Sequence, residues 1–337
     1  MFYPLAKIRK SLLGVKPEEA LCARRGFQVA DANVRDRLEL IGETFINGYN
    51  AALVDHRAEA LTERLDRVTA ELRGFAYEGA AMGLMLLDLL IPVGKTRWRS
   101  FINGPGDSHR YMMQVGAGWA LAKIPASFQK SPAWLDPLLR WLTLDGFGFC
   151  RGYYQWQSFI QQRAVPKRLI GYSRRAFDQG LGRSIWFVKG ADVESVAITV
   201  SKFPTPRHAD LWSGIGLASA YAGGASRGAL ERLQATAKGF MSDLAQGAAF
   251  AAQARQRASN VTEHTDLACR VLCGVSSTAA ARVTDIAAQR LDRPYTDTSY
   301  EAWRAGIRSH FIGIWNRRKQ SALLDKPIAE INANAMG

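Results

Sequence analysis

Apolar residues recur at helical spacing along most of this chain, and stretches rich in charge, glycine or proline punctuate them. In 34–50 the apolar positions Leu38, Ile41, Phe45 and Tyr49 fall on one helical face. A charged helix is expected to follow over 56–72, with Glu63 and Arg67 at a favourable i,i+4 spacing. Residues 75–90 are apolar almost all round, as in a helix at the centre of a fold. A short helix or turn at 98–103 ends in Gly104-Pro105-Gly106, a strong breaker. Further helices are expected from His109 to about Lys123, with Pro125 as the stop, and over 132–154, where Asp136-Pro137 suits the first turn. Two more are expected over 174–188 and 192–203. The second is rich in Val, Ile and Thr and would suit a strand, but Asp192 as N-cap favours a helix. The Ala-rich stretch 226–291 reads as three helices. A final amphipathic helix over 300–318 carries Trp303, Ile307, Phe311 and Trp315.

The pattern repeats. Leu38, Leu40, Gly42, Phe45, Gly48 and Tyr49 match Leu142, Leu144, Gly146, Phe149, Gly152 and Tyr153 without a gap, at an offset of 104 residues. Arg73-Gly74-Phe75 with Glu78-Gly79 is similar to Arg175-Ala176-Phe177 with Gln179-Gly180, and His208 follows His109 by 99 residues. Order and spacing persist, which points to diverged copies of a unit near 100 residues. The expected fold class is all-α: tandem helical-hairpin repeats, similar to tetratricopeptide proteins and stacked as an α-solenoid. The glycines of 214–224 are expected to let a helix approach the one that follows it. The domain reading is an N-terminal segment 1–30, one helical-repeat domain 31–318 with copies at about 34–125, 138–225 and 230–290, a C-terminal helix 300–318, and a frayed tail 319–337.

Length and composition suit a folded globular chain: 337 residues, 47% hydrophobic and 22% charged. The net charge of +14 makes acidic partners plausible in principle. The basic residues come in scattered pairs with no groove-reading motif, so nucleic acid is not expected as a partner. Four cysteines, Cys22, Cys150, Cys269 and Cys273, are too few for a disulfide framework, which favours a reducing cytoplasm. The N-terminus lacks the apolar core of a signal peptide, and the longest apolar run, 80–93, is too short to span a bilayer and contains Asp88.

Candidate chemistry gathers at the ends and centres of helices. Three of the five histidines, His109, His208 and His264, sit where a loop becomes a helix. A neutral imidazole there can act as a base, with Asp210 or Asp266 two residues on to orient it; the plainer reading is a cap that holds the loop. Glu78, Asp178 and Gln179 lie inside apolar helices containing glycine. A carboxyl in such a place has a raised pKa and suits a general acid, Glu78 best of all. Phe147, Phe149, Tyr153 and Trp156, with Trp141, form an aromatic cluster that suits the wall of an apolar ligand pocket or ordinary packing. His264, Cys269 and Cys273 lack the fourth ligand of a zinc site. Val93-Gly94-Lys95-Thr96 resembles the end of a phosphate-binding loop, but Leu89 stands where its first glycine belongs. No metal is expected, and the residues specify no cofactor.

Several stretches together resemble a bacterial family of unknown function often encoded in enediyne polyketide gene clusters. They are Phe75-Ala76-Tyr77-Glu78-Gly79-Ala80-Ala81-Met82-Gly83, Leu144-Asp145-Gly146-Phe147-Gly148-Phe149, Arg175-Ala176-Phe177-Asp178-Gln179-Gly180-Leu181-Gly182-Arg183-Ser184 and Asp210-Leu211-Trp212-Ser213-Gly214-Ile215-Gly216-Leu217-Ala218. The resemblance implies a place in specialised metabolism and no assigned catalytic residues. Two expectations follow. One is a protein that binds or processes a hydrophobic polyene or polyketide-derived substrate, with Glu78 as acid, His109 and His208 as bases, Asp210 and Asp178 in support, and the aromatic cluster as wall. The other is a scaffold docking an acidic partner such as an acyl carrier protein through Arg174, Arg175 and Arg207.

Overall fold

A computed structural model describes residues 3–91, 96–124 and 135–324, and every regular element among them is helical. In chain order these are α1 (Tyr3–Leu13), α2 (Cys22–Arg25), α3 (Ala32–Val54), α4 (Ala58–Asp66), α5 (Ala70–Leu90), α6 (Arg97–Ile102), α7 (Arg110–Lys123) and α8 (Arg140–Tyr154). There follow α9 (Tyr172–Val188), α10 (Val193–Ser201), α11 (His208–Tyr221), α12 (Arg227–Thr236), α13 (Met241–Arg257), α14 (Glu263–Leu272), α15 (Ser277–Gln289) and α16 (Ser299–Leu324). Where the chain enters a helix, a short polar side chain takes up an orphan backbone N–H. Asp31, Asp192, Ser226, Thr262 and Ser276 each accept from the residue two or three positions on. That cap makes α10 a helix despite its β-branched composition. The stretch 226–291 holds four helices instead of three, because Ser276 caps a separate α15. The expected stop at Pro125, the start at 132, Val93 to Lys95 and the tail beyond 324 lie outside the described residues.

Helices α3, α5, α7, α8, α9, α11 and α13 form a row in which each packs on the next. The shorter α10, α12 and α14 pack on one another as a second row. Glycine sets the distance between neighbours in the first row. A Cβ on Gly79 would fall 1.9 Å from the Phe45 carbonyl oxygen, one on Gly180 1.8 Å from that of Asp145, and one on Gly214 1.9 Å from that of Gln179. Gly48, Gly148 and Gly216 make the reverse contact, onto Ala76, Phe177 and Leu244. Helices α7, α8, α9 and α11 therefore each carry a Gly-x-Gly pair, with one glycine for the helix before it in the row and one for the helix after. The glycines of α11 lie against α9 and α13, not against the following helix α12 as the sequence suggested; the close approach joins one long helix to the next across the intervening short one.

The row curls back on itself. Helix α13 touches α7, and Arg255 of α13 donates to the carbonyl oxygens of Glu71 at 2.6 Å and of Tyr221 at 2.8 Å. The second of these is the last carbonyl of α11, where the helix dipole favours a cation. The curl gathers one extended core, into which α16 sets Trp303 and Arg304.

Candidate functional site

Glu78 sits in the middle of α5, where Gly79 and the α7 glycine Gly116 let both neighbouring helices come close. Its side chain is 1% exposed and faces a small cavity walled by Phe45, Phe75, Trp119, Phe149, Tyr153 and Phe187. The cavity measures about 30 Å³, room for a single water with the side chains as they stand. Trp119 Nε1 donates to Glu78 Oε1 at 3.1 Å, which fixes the carboxyl at the cavity wall. The indole ring is itself packed among Phe45, Phe149, Tyr153 and Tyr154. Burial in these apolar surroundings pushes the Glu78 carboxyl up to about 7, against the pull of the Arg183 guanidinium. At neutral pH such a group is divided between acid and carboxylate, so it can donate a proton or accept one.

The histidines do not join it. His109 stacks on Tyr77, ring centroids 4.1 Å apart, and burial drives its pKa down to about 4. Tyr77 in turn donates to the exposed Asp66 at 2.9 Å, so this trio forms a separate joint between α4, α5 and the start of α7. His208 Nε2 lies 2.7 Å from the Phe203 carbonyl oxygen, and the ring rests against Phe240. His264 Nε2 contacts the Ser219 carbonyl oxygen at 2.9 Å. Neither aspartate orients its histidine. Asp210 belongs to Arg175, at 3.0 Å, and to Arg304, at 2.7 Å; Asp266 receives the backbone N–H and hydroxyl of Ser277 and the Arg270 guanidinium. The expected general-base pairs are not formed: His208 holds its own loop, His109 and His264 reach α5 and α11, and neither Asp210 nor Asp266 faces its histidine.

Asp178 is buried at its place in α9 and takes both ends of the Arg207 guanidinium, at 2.9 and 2.5 Å. Burial raises its pKa to about 6, with Arg207 opposing. Arg207 also donates to the Arg163 carbonyl oxygen and covers the Phe203 ring. Arg175 spans Asp210 and Glu301, and Arg174 donates to the Leu169 carbonyl oxygen at 2.7 Å. Two of the three arginines read as a surface for an acidic partner are thus spent on internal carboxylates, and the third holds a turn. The aromatic cluster also divides. Phe149 and Tyr153 line the Glu78 cavity, Phe147 turns to Phe177 on another face of α8, and the Trp156 indole donates to the Arg25 carbonyl oxygen. Cys269 and Cys273 lie against carbonyl oxygens of α13.

The sequence matches one described family over residues 4–311. The chain belongs to that family, "Protein of unknown function (DUF1702)". No curated protein and no solved structure matches it.

In this DUF1702 chain the sequence reading missed the buried charges that organise the core. Arg183 is 3% exposed and pairs with Asp145 at 2.6 Å, while Gln179 donates to the second Asp145 oxygen and to Tyr300. Arg304, fully buried, joins Asp210, Gln246 and Tyr172. Arg175 and Arg308 complete that cluster through Glu301 and Asp243. Three arginines thus meet three carboxylates, which is how an apolar interior tolerates ions. One signal was available in the sequence: Asp145 interrupts a helical face that is otherwise apolar, between Trp141, Leu142, Gly148 and Phe149. No helix among the described residues is long and apolar enough to cross a membrane.

Proposed function

We propose that this chain binds a hydrophobic, polyene or polyketide-derived molecule in the apolar cavity beside Glu78, and that the Glu78 carboxyl exchanges a proton or a hydrogen bond with it. The observation that carries this reading is a protonatable carboxyl on a largely apolar wall rich in aromatic rings, held by one indole N–H and raised to about 7. A carboxyl placed only for packing is better replaced by an apolar residue, since burying it costs free energy. The cavity as it stands admits a water, so a ligand enters as the aromatic wall rotates aside. The half-buried Tyr154, over which Arg25 and Lys123 lie, is the side chain placed to move. The resemblance to proteins of enediyne polyketide clusters supplies the substrate class. We read the serial helix packing as a helical-hairpin repeat of the tetratricopeptide kind, curled so that its inner face is closed around the core.

A second reading, a helical scaffold that docks an acidic protein such as an acyl carrier protein, rests on the net charge of +14. The internal pairing of Arg175 and Arg207 speaks against those residues as its contacts. Native mass spectrometry of protein from its own producing cells, with solvent extraction, tests the first reading. A retained apolar metabolite that is absent from Glu78→Gln supports it. A metabolite held equally by Glu78→Gln removes the carboxyl from the site, and retention of an acidic protein alone replaces the reading with the second.

A further inference from the structure

A second cavity, of about 340 Å³, lies on the other face of α8 and shares no lining residue with the Glu78 cavity. Its floor is Phe147, Phe159 and Leu169; Arg151, Lys167 and Arg168 stand around it. Between Gly146 and Phe177 the chain carries six basic residues, Arg151, Arg163, Lys167, Arg168, Arg174 and Arg175, and not one Asp or Glu. Arg151 lies over the Phe147 ring, 5.3 Å to its centroid, and donates to the Gln155 side-chain oxygen; among the described residues neither it nor the exposed Lys167 has a carboxylate partner. The charges of Arg151 and Lys167 therefore stand beside an apolar floor without a carboxylate partner among the described residues.

The wall of this cavity is built at some conformational cost. Phe159 lies in a π-helical turn, Gln157–Gln161, a rare form found frequently at functional sites. Arg163, just beyond it, has φ +58°, in the left-handed region that a side chain with a Cβ avoids. Two guanidiniums pin this wall from behind: Arg207, itself clamped by Asp178, on the Arg163 carbonyl, and Arg174 on the Leu169 carbonyl. The sequence candidates Asp178, Arg174 and Arg207 thus act as positioning residues for a surface they do not line.

From an apolar floor, the two basic side chains Arg151 and Lys167 beside it and a pinned, strained wall, we infer that this cavity binds an amphipathic organic anion, an acyl or aryl chain ending in a carboxylate or phosphate. The chain lies on Phe147, Phe159 and Leu169, and the anionic head meets Arg151 and Lys167.

The test is isothermal titration with decanoate, below its micelle concentration, against decanol as the neutral analogue. The expected result is one saturable decanoate site that weakens as salt rises and prefers decanoate over decanol. Arg151→Ala/Lys167→Ala changes two residues without a carboxylate partner among the described residues and should leave folding intact. It should weaken decanoate about tenfold, as loss of two solvent-facing charge contacts implies, and leave decanol unchanged. Phe159→Asp should abolish binding of both. Decanoate that does not saturate below millimolar, or that binds the double variant as tightly as the parent, overturns the inference. Decanoate binding lost in Glu78→Gln but kept in the double variant also overturns it, by moving the ligand to the other cavity.

Discussion

Replacing Gly180 by alanine puts the packing argument at risk in a single residue. The added Cβ would stand 1.8 Å from the Asp145 carbonyl oxygen and 2.8 Å from the Phe149 backbone nitrogen, where ordinary contact begins at 3.4 Å. The shortfall on the nearer atom is about 1.6 Å, and both neighbours are backbone, so no rotamer change relieves it. Helices α8 and α9 must separate, which loosens the Asp145–Arg183 pair that lies beside the crossing. Overpacking of this kind costs about 1–3 kcal/mol, and with rigid backbone on both sides the upper end applies. Alanine returns about 1 kcal/mol of helix propensity, leaving a net loss of about 2 kcal/mol. Gly313 supplies the control. It lies within α16, and a Cβ there would meet only the far end of the Arg317 side chain, at 3.4 Å, so Gly313→Ala should stabilise by about 0.5–1 kcal/mol. Urea unfolding followed by helical circular dichroism reads both variants. If Gly180→Ala unfolds at or above the parental midpoint, glycine does not set the helix spacing. If Gly313→Ala loses as much stability as Gly180→Ala, the effect belongs to any glycine and not to the crossing.

Other consequences are open to direct measurement. Glu78 has a folded pKa of about 7 against an ordinary 4.5, so the folded state holds the proton more tightly; stability from this group is full below about pH 4.5 and is lost as pH rises toward 7. In Glu78→Gln that decline should shrink to the part contributed by the other carboxyls that burial raises, Asp178, Asp145 and Asp243, and an unchanged urea midpoint profile would contradict the burial of the carboxyl. His109 has the opposite sign: its pKa is depressed from 6.5 to about 4, so its contribution falls as pH drops through that window, and His109→Phe should reduce the acid-side loss while keeping the stack on Tyr77. Breaking the Arg304 cluster by Asp210→Asn should cost about 3–5 kcal/mol, since two guanidiniums lose their shared partner. A loss below about 1 kcal/mol would show those charges to be solvated.

The all-helical class and most helix positions were legible because apolar spacing and caps are local properties. Beside the offset near 100 residues, the structure brings out a shorter spacing among the glycines. Gly146, Gly180, Gly214 and Gly247 are spaced by 34, 34 and 33 residues, and all four point a missing Cβ at the preceding helix of the row. The similarity seen near 100 residues spans about three of these steps. Aromatic and histidine matches favoured the long offset, whereas the glycines that carry the physics repeat three times as often. The histidine reading failed for a related reason. His208 and Asp210 are neighbours in sequence, but two positions along a helix point to different faces, and Asp210 turns to α9 and α16. Nothing in the local sequence discloses that Arg304, from a helix 94 residues later, completes its environment.

The glycine crossings and the buried ions are two sides of one constraint. Where backbones touch, a crossing leaves no room for side chains, so the volume between crossings must be filled by long ones, and in a curled row that volume lies deep inside. Apolar fillers serve part of it, such as Trp186 and Trp303. Elsewhere the long fillers are Arg183, Arg255 and Arg304, each matched to a carboxylate or to the carbonyl end of a helix. In that setting Glu78 stands apart: its carboxyl receives one indole N–H, its nearest wall is aromatic, and Arg183 is already committed to Asp145. A side chain that neither fills like the tryptophans nor pairs like the other buried acids is poorly explained by packing. That contrast within one core is the physical ground for the proposal that Glu78 meets a ligand.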